Sequence, residues 1–292
     1  MTRVKIHIMS LIFMSIKKLR LHKYIANCGY TSRRRAELLI QAGRVQVNGK
    51  LVNTPGSLVH PLKDQVVING DQVKPPERLT IMLHKPALII TSTHDTHDRL
   101  TVMDILPKRF REMGVFPVGR LDKDTEGVLI LTNDGDLHHH ISHPRHTIDK
   151  EYLVTVKGFP SNEACKNFER GMMIDGKKTA PAQILSMNQK QGIGVGTVVI
   201  REGKKRQIRR MFDALGHPVI HLTRTRVGEL TIGKLPLGEW RFLKSPEIAM
   251  LLKKSQIKSP ENKMISTKAS NGRPPGPKTT GESRAQKKKI GR

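Results

Sequence analysis

Short runs of apolar residues, alternating with polar ones or continuous, dominate the central part of the chain. Six of these runs predict β-strands: Thr80–Leu83, Leu88–Thr91, Val128–Leu131, Tyr152–Val156, Gly196–Ile200 and Trp240–Leu243. Two further runs, Glu163–Arg170 and Arg206–Leu215, have helical spacing, and each is followed closely by a glycine that can end a helix. Because strands outnumber helices, the pattern predicts an α+β fold with a mixed, mostly antiparallel β-sheet and flanking helices.

The part of the chain before these runs has a pattern of its own. Leu21, Tyr24 and Ile25 are spaced for one face of a helix, and Ser32 is suited to cap the start of a second helix. An Asn-Gly pair at 48–49 then separates two short apolar runs, as expected of a hairpin turn. We therefore predict a small separate unit of two helices and a hairpin over residues 19–73.

Composition divides the chain into five segments. We expect an N-terminal extension at 1–18, the small unit at 19–73, a linker at 74–78, a larger unit at 79–252 and a tail at 253–292. The tail carries twelve Lys or Arg and two Glu, a net charge of 12 − 2 = +10, and it has no aromatic residue. Such a segment cannot form a core, so we predict a disordered basic tail that adds phosphate contacts.

The whole chain of 292 residues is strongly basic, with 52 Lys and Arg against 25 Asp and Glu and a formal net charge of +27. A field of this size attracts polyanions, which makes nucleic acid the expected partner. An apolar run at 6–16 is shorter than the roughly 20 residues that cross a bilayer, so a membrane partner is not expected. A monomer is the default expectation.

Cysteine and histidine usage gives no sign of a metal site. Cys28 and Cys165 are far apart and lack a CxxC neighbour, which fits free thiols in a reducing cytoplasm. A histidine cluster could suggest zinc, but successive histidines cannot all converge on one ion, and no cysteine accompanies them. The cluster consists of His138, His139, His140, His143 and His146. We expect these side chains to face RNA or solvent.

Three consecutive arginines, Arg33, Arg34 and Arg35, fall in the first turn of the second predicted helix. The positive end of the helix dipole disfavours each cation there by roughly 0.3–1 kcal/mol. An external phosphate backbone explains the cluster better than stability does, with a merely solvated run of charge as the alternative.

Residues 116–135 are the stretch most suggestive of chemistry, with the sequence FPVGRLDKDTEGVLILTNDG. An apolar strand end leads into a turn that places Asp122 at the rim of the sheet. From its position alone, this carboxylate could be a nucleophile, a general base, a metal ligand or the ion-pair partner of Arg120. Asp124 and Glu126 add the possibility of a metal site, although neither has a suitable His or acidic companion.

Two segments resemble known families. Residues 19–49, with the arginine cluster and the closing GRVQVNG, resemble the S4 RNA-binding domain. The stretch GRLDKDTEGVLILTNDG resembles the signature of the RsuA family, bacterial rRNA pseudouridine synthases that join an S4 domain to this catalytic domain. Further matches are HKP at 84–86, HPRHTIDKEYLVTV at 143–156, REGKKRQIRRMFDALGHPVIHLTRTRVGEL at 201–230 and LPLGEWRFL at 235–243. The resemblance runs from about 19 to 252. His84 departs from the family's more common asparagine.

The resemblance implies isomerisation of uridine to pseudouridine without a cofactor. It places the catalytic nucleophile at Asp122, whose carboxylate attacks the ribose or the base or first helps to form a glycal. It also implies that Arg209 pairs with Asp122 and that Tyr152 stacks on the flipped uracil. A basic helix face and a core tyrosine are the corresponding structural alternatives.

Further cations are implied in RNA binding. Arg120 would occupy the space that the flipped base vacates, and a salt bridge to a nearby carboxylate is its alternative. Arg206, a second candidate to pair with Asp122, and Arg210 would contact RNA from the same element as Arg209.

Within the family, the resemblance is strongest to members that modify large-subunit (23S) ribosomal RNA near the peptidyl-transferase centre, so it implies that substrate. Small-subunit RNA and transfer RNA are the alternative substrates. Two other classes of function are alternatives: a non-catalytic RNA-binding protein of ribosome assembly, and a metal-dependent RNA hydrolase using Asp122 and Asp124.

Overall fold

The computed structural model describes residues 18–143 and 147–252. The extension up to residue 17, His146 and the basic tail at 253–292 lie outside these residues, so the predictions made for them remain predictions. Among the residues described, no helix is both long and apolar enough to cross a membrane.

Seven helices occur in the described ranges. They are α1 (Leu21–Asn27), α2 (Arg33–Gln41), α3 (Lys108–Glu112), α4 (Gly135–Ser142), α5 (Asn162–Arg170), α6 (Gln207–Ala214) and α7 (Ser245–Leu252).

The strands, in chain order, are β1 (Leu19–Arg20), β2 (Val45–Val47), β3 (Lys50–Val52), β4 (Leu58–Val59), β5 (Val66–Ile68), β6 (Asp71–Val73), β7 (Thr80–Lys85), β8 (Phe116–Pro117), β9 (Glu126–Thr132), β10 (Lys150–Lys157), β11 (Met173–Ile174), β12 (Lys177–Lys178), β13 (Gln183–Lys190), β14 (Ile193–Ile200), β15 (Val219–Val227), β16 (Leu230–Thr231) and β17 (Trp240–Phe242). Strands and helices are both present, and the strands form a mixed sheet that is flanked by helices. The predicted α+β class is therefore confirmed.

The small N-terminal unit packs α1 and α2 against a four-stranded sheet in the order β3-β2-β5-β6. Its core includes Tyr24, Ile25 and Ile40, all 2% exposed or less. The Ser32 side chain accepts a hydrogen bond of 3.3 Å from the backbone N–H of Arg35, as expected of a helix N-cap. The helices and hairpin predicted from the sequence are therefore present.

The larger unit is built on a nine-stranded sheet. Its main path runs β13-β14-β10-β15-β9-β7-β17, with β8 on β9 and β16 on β15. Only β9 and β15 pair in parallel; the other pairs are antiparallel. Side chains of β9 alternate between two cores, with Leu129 and Leu131 in one and Val128 and Ile130 in the other. Strand β9 is thus buried on both faces, and its N-terminal end is fixed in position.

Gly127 allows the parallel pairing at that end of β9. Its φ is +111°, and a Cβ placed there would lie 2.2 Å from the carbonyl oxygen of Arg224 in β15. Any side chain would force the two backbones apart. The glycine of the TEG sequence therefore joins the turn that carries Asp122 directly to β15.

One strand prediction was wrong, and three helices were not predicted. Leu88–Thr91 forms only an isolated bridge between Ile90 and Thr101, and Leu88 has a φ of +67°. The polar groups of this segment bond instead to the Asp122 turn. The helices that pattern analysis missed are α3, α4 and α7. Helix α4 is capped by Asp134, which accepts from the N–H groups of Asp136 and Leu137.

The small and large units meet through close backbone packing. A Cβ on Gly114 would lie 2.9 Å from the Cα of Gly29, and one on Gly29 would lie 3.1 Å from the carbonyl oxygen of Glu112. Next to this contact, Lys23 Nζ and Asp136 Oδ1 form an ion pair of 2.7 Å. Both contacts fix the small unit against α3 and α4.

Candidate active site

The turn between β8 and β9 carries Asp122 and is held by the segment that follows β7. Thr91 Oγ1 donates to the carbonyl of Leu121 at 2.8 Å, and the Leu88 N–H donates to the carbonyl of Lys123 at 2.7 Å. The turn closes on itself through a 3.1 Å bond from the Thr125 N–H to the carbonyl of Asp122. The backbone around Asp122 is thereby fixed on both sides.

Lys85, at the end of β7, holds the same turn through hydrogen bonds from its side chain. Its side chain is fully buried, and Nζ donates to the carbonyls of Pro86, Asp122, Lys123 and Thr125 at 2.9, 3.3, 3.4 and 3.0 Å. Burial lowers the pKa of Lys85 to about 8, against the opposing effect of nearby carboxylates. The lysine of the HKP element is thus an anchor for the turn that carries Asp122.

Asp122 itself is half-buried and faces a pocket of about 280 Å³. Its carboxylate makes no hydrogen bond or ion pair within the described parts of the chain. The walls of this pocket, called here the Asp122 pocket, include Arg120, Thr125, Tyr152, Ile200, Lys204, Arg206 and Leu222. A carboxylate directed into a cationic, partly apolar pocket is free to meet a substrate.

The expected pair between Arg209 and Asp122 is not present. Arg209 is 6% exposed; its Nη2 donates to the carbonyl of Asp124 at 2.7 Å, and its Nε lies 3.3 Å from Asp124 Oδ2. The tight turn directs Asp124, not Asp122, at helix α6. Burial lowers the pKa of Arg209, while the charges of Asp124 and Asp122 act in the opposite direction. Arg209 therefore contacts the turn that carries Asp122 and not the Asp122 carboxylate itself.

Asp124 has a second arginine as partner. Arg206 Nη1 lies 2.9 and 3.0 Å from the two carboxylate oxygens of Asp124. Burial alone would raise the pKa of Asp124, but the hydrogen bonds from Arg206 and the charge of Arg209 outweigh burial and lower it. Asp124 is accordingly an ionised structural acid. Arg210, on the same helix, forms an ion pair with Asp175.

Tyr152 and Arg120 form the wall of the Asp122 pocket nearest to β10. Tyr152 is 7% exposed and belongs to the core, and it also lines the pocket, so its stacking on a flipped uracil stays a prediction. Arg120 is exposed and makes no hydrogen bond or ion pair with a described residue. The salt-bridge alternative for Arg120 therefore finds no support.

The arginine cluster of the small unit is also open to an external partner. Arg33, Arg34 and Arg35 are exposed, and in the described ranges none lies within 4.0 Å of a carboxylate. Arg33 contacts only His22, at 3.2 Å. Among described residues, no group of three or more His, Cys, Asp or Glu is placed to hold a metal ion. Cys28 and Cys165 are free thiols.

Comparison with known proteins agrees with this geometry. The S4 domain model matches residues 19–66, and the RNA pseudouridylate synthase model matches residues 79–214. Ribosomal large subunit pseudouridine synthase B of Bacillus subtilis (strain 168) is 41% identical over 237 residues, which cover 80% of this chain and 95% of the relative. The chain belongs to the S4-domain RNA pseudouridine synthases.

Other members of the family match over similar lengths. The dual-specificity RNA pseudouridine synthase RluF of Escherichia coli (strain K12) is 38% identical over 247 residues, covering 84% of this synthase and 82% of the relative. A crystal structure of a pseudouridylate synthase superposes with a TM-score of 0.57 and 30% identity, covering 80% of this synthase and 99% of that chain. Both domains of the synthase are thus found together in relatives.

Sequence reasoning named Asp122, Arg120 and Tyr152, which line one pocket of this synthase, but it missed several of the residues that contact the Asp122 turn. Lys85 was noticed only as part of the HKP element, because a single lysine at a strand end carries no signal of burial. The role of Asp124 as the acceptor for two arginines depends on contacts that span more than 80 positions. Lys150 and Arg224, which line a neighbouring cavity, were inside recognised segments but had no role assigned.

Proposed function

We propose that this synthase isomerises a uridine of large-subunit ribosomal RNA, with Asp122 as the nucleophile. The observation that carries the proposal is the unpaired carboxylate of Asp122 in a pocket whose wall is the ring of Tyr152. Asp124 forms ion pairs with Arg206 and Arg209, so the carboxylate of Asp122 remains available for the substrate.

The chemistry rearranges atoms already present in the nucleotide. The N1–C1′ bond of uridine breaks, the base rotates, the C5–C1′ bond forms, and the C5 proton moves to N1. The carboxylate of Asp122 can act at C1′, at the base or in forming a glycal, and all three routes need the ionised acid in the pocket. Tyr152 supplies a flat surface on which the detached uracil can rest.

Ribosomal RNA as the substrate is supported by charge and by relatives. The net charge of +27 attracts a long polyanion, and the exposed arginines of the S4 domain have no acidic partners in the residues described. The Bacillus subtilis relative is named for the large ribosomal subunit. A cytoplasmic monomer remains part of the proposal.

Of the other functions considered, a metal-dependent hydrolase fits the site less well. Such an enzyme would use Asp122 and Asp124 as ligands, but both oxygens of Asp124 are taken by Arg206. A non-catalytic RNA-binding protein would have no use for a free carboxylate beside a tyrosine in a pocket.

The test is pseudouridine mapping of ribosomal RNA, by carbodiimide adducts and primer extension, in cells with and without this gene. We expect one site in large-subunit RNA to disappear without the gene and to return when the wild-type gene is restored. If the pseudouridine that disappears lies in small-subunit or transfer RNA, that RNA is the substrate and the proposed large-subunit substrate is wrong. No change in any of these RNAs would contradict catalysis.

A second prediction concerns the arginine cluster. Replacing Arg33, Arg34 and Arg35 with Gln should weaken binding to an rRNA fragment that contains the modified uridine. If each arginine contacts one phosphate, the slope of log K against log salt should become shallower by about 3. The melting temperature should stay the same or rise slightly, because three cations leave the positive end of helix α2. A large loss of thermal stability would instead indicate a structural cluster.

A further inference from the structure

A second cavity, of about 580 Å³, adjoins the Asp122 pocket. Its size falls within the roughly 300–1,000 Å³ of small-molecule sites. The two spaces share Gly119, Arg120, Tyr152, Gly203 and Lys204 as lining residues. These shared residues make the two spaces neighbours, so an RNA strand with one base in the Asp122 pocket can reach the larger cavity with an adjoining nucleotide.

The larger cavity has an apolar part and a cationic part. Val118, Ile130 and Val227 line the apolar part, and Lys150 and Arg224 lie among the residues of the cationic part. Such a combination suits a nucleotide, whose base is flat and weakly polar and whose phosphate is charged.

Arg224 is a buried charge without an acidic partner. It is 5% exposed, and among the described residues the only hydrogen bond of its side chain is from Nε to the carbonyl of Val128 at 2.7 Å. Within 18–143 and 147–252 no carboxylate lies within 4.0 Å of it, so its two terminal nitrogens have no protein acceptor. Burying an unpaired guanidinium is costly, and an anion in the cavity would remove that cost.

Lys150 is a second cation in the lining of this cavity, and it is half-buried. Within the described residues its Nζ donates only to the carbonyl of Ile148, at 3.1 Å. Burial, followed by the charge of Arg224, lowers the pKa of Lys150 to about 8. The two cations therefore lie close enough to repel each other.

The acids around the cavity are already neutralised. Asp149 pairs with Arg201 at 2.8 Å. Glu202 accepts from the Ala180 N–H and from Gln207, and Lys204 Nζ lies 3.6 Å from it. After these pairs are set aside, the cavity keeps the positive charges of Arg120, Lys150 and Arg224.

We propose that Arg224 and Lys150 form a phosphate subsite in this cavity, which binds one of the two phosphates that flank the target uridine and seats the adjoining nucleotide. The proposal rests on the proposed function, because it takes RNA in the Asp122 pocket as its starting point. Arg224 lies directly opposite Tyr152 in the β10–β15 pairing, at a bulge that follows Glu151. This register places the subsite next to Tyr152, on which the detached uracil is proposed to rest.

The experiment uses the full chain and a synthetic RNA hairpin that carries the mapped uridine. Each flanking phosphate is replaced in turn by an uncharged methylphosphonate, and a phosphate three nucleotides away serves as the RNA control. For the wild type, we expect neutralisation of one flanking phosphate to raise Kd about tenfold, and neutralisation of the distant one to raise it much less. An equal response at all three phosphates would overturn the subsite.

Protein variants test which side chain makes the contact. Lys150→Gln should bind the natural hairpin about tenfold more weakly and lose its response to the decisive methylphosphonate. Lys150→Arg, which keeps the cation, should retain that response. Lys157→Gln, at the exposed end of the same strand and outside the cavity, is the matched control and should behave as the wild type does.

Thermal stability separates this subsite from a structural role. Lys150→Gln removes a cation that is desolvated and repelled by Arg224, so its melting temperature should equal or exceed that of the wild type. Additive effects of Lys150→Gln and the methylphosphonate would refute the contact. A wild-type enzyme that forms no pseudouridine in the hairpin would refute the proposed function instead, so the two failures are distinguishable.

Discussion

Asp122→Asn should reduce pseudouridine formation under single-turnover conditions on the order of 10⁴-fold or more, since the amide cannot replace an ionised nucleophile. Binding of the RNA hairpin should change by less than about threefold. Asp122 makes no ion pair within the described residues, so its neutralisation leaves no buried charge unpaired. The measurement is the rate of tritium release from 5-tritiated uridine in the hairpin, beside a filter-binding Kd.

Asp124→Asn is the matched control for Asp122→Asn, because it removes an equal charge two residues away. It leaves Arg206 and Arg209 without their acid, so it should lower the melting temperature, which Asp122→Asn should not. Near-normal turnover in Asp122→Asn would show that another residue is the nucleophile. Asp124 would then be the first residue to test.

Lys85→Met should lower the free energy of unfolding by roughly 2–4 kcal/mol, because it leaves buried carbonyls without a donor. The carbonyls of Asp122 and Lys123 keep bonds from Thr125 and Leu88, whereas those of Pro86 and Thr125 lose the one side-chain donor that they have. The effect is measured by urea unfolding at fixed pH.

Turnover of Lys85→Met should fall by more than the loss of folded protein can explain. Where the protein is still folded, we expect a loss on the order of 10²-fold in kcat, since the turn that aims Asp122 is no longer held. Lys123→Met, an exposed lysine of the same turn, should change stability by no more than about 0.5 kcal/mol. Equal stabilities of the Lys85 and Lys123 variants would show that Lys85 is not an anchor.

Local sequence patterns predicted two kinds of element: those stabilised by contacts between residues close in sequence, and those whose two faces are both buried. The run Val128–Leu131 is apolar at every position because both of its faces are covered, and Ser32 caps a helix through a bond only three residues long. The signature around Asp122 could be recognised for the same reason, since it is continuous in sequence.

Predictions that depended on distant contacts were less successful. Leu88–Thr91 has strand-like alternation, but Leu88 and Thr91 bond to the Asp122 turn some 30 positions later and not to a neighbouring strand. The pairing of Arg209 was assigned to the wrong aspartate because spacing cannot show which of two acids a turn directs at a helix. Helix α4 was missed because Gly135 and three histidines have poor helix propensity.

The glycine contact between the two domains has a consequence for how RNA is selected. Because the backbones at Gly29 and Gly114 touch without side chains between them, the S4 domain cannot slide or tilt without separating main chains or creating a void. If the proposed function is correct, the protein therefore fixes the distance between the RNA-binding arginines of helix α2 and the carboxylate of Asp122. We expect an RNA whose uridine lies at another distance from its S4-bound helix to bind only when it deforms, at a cost in binding free energy that the RNA alone bears.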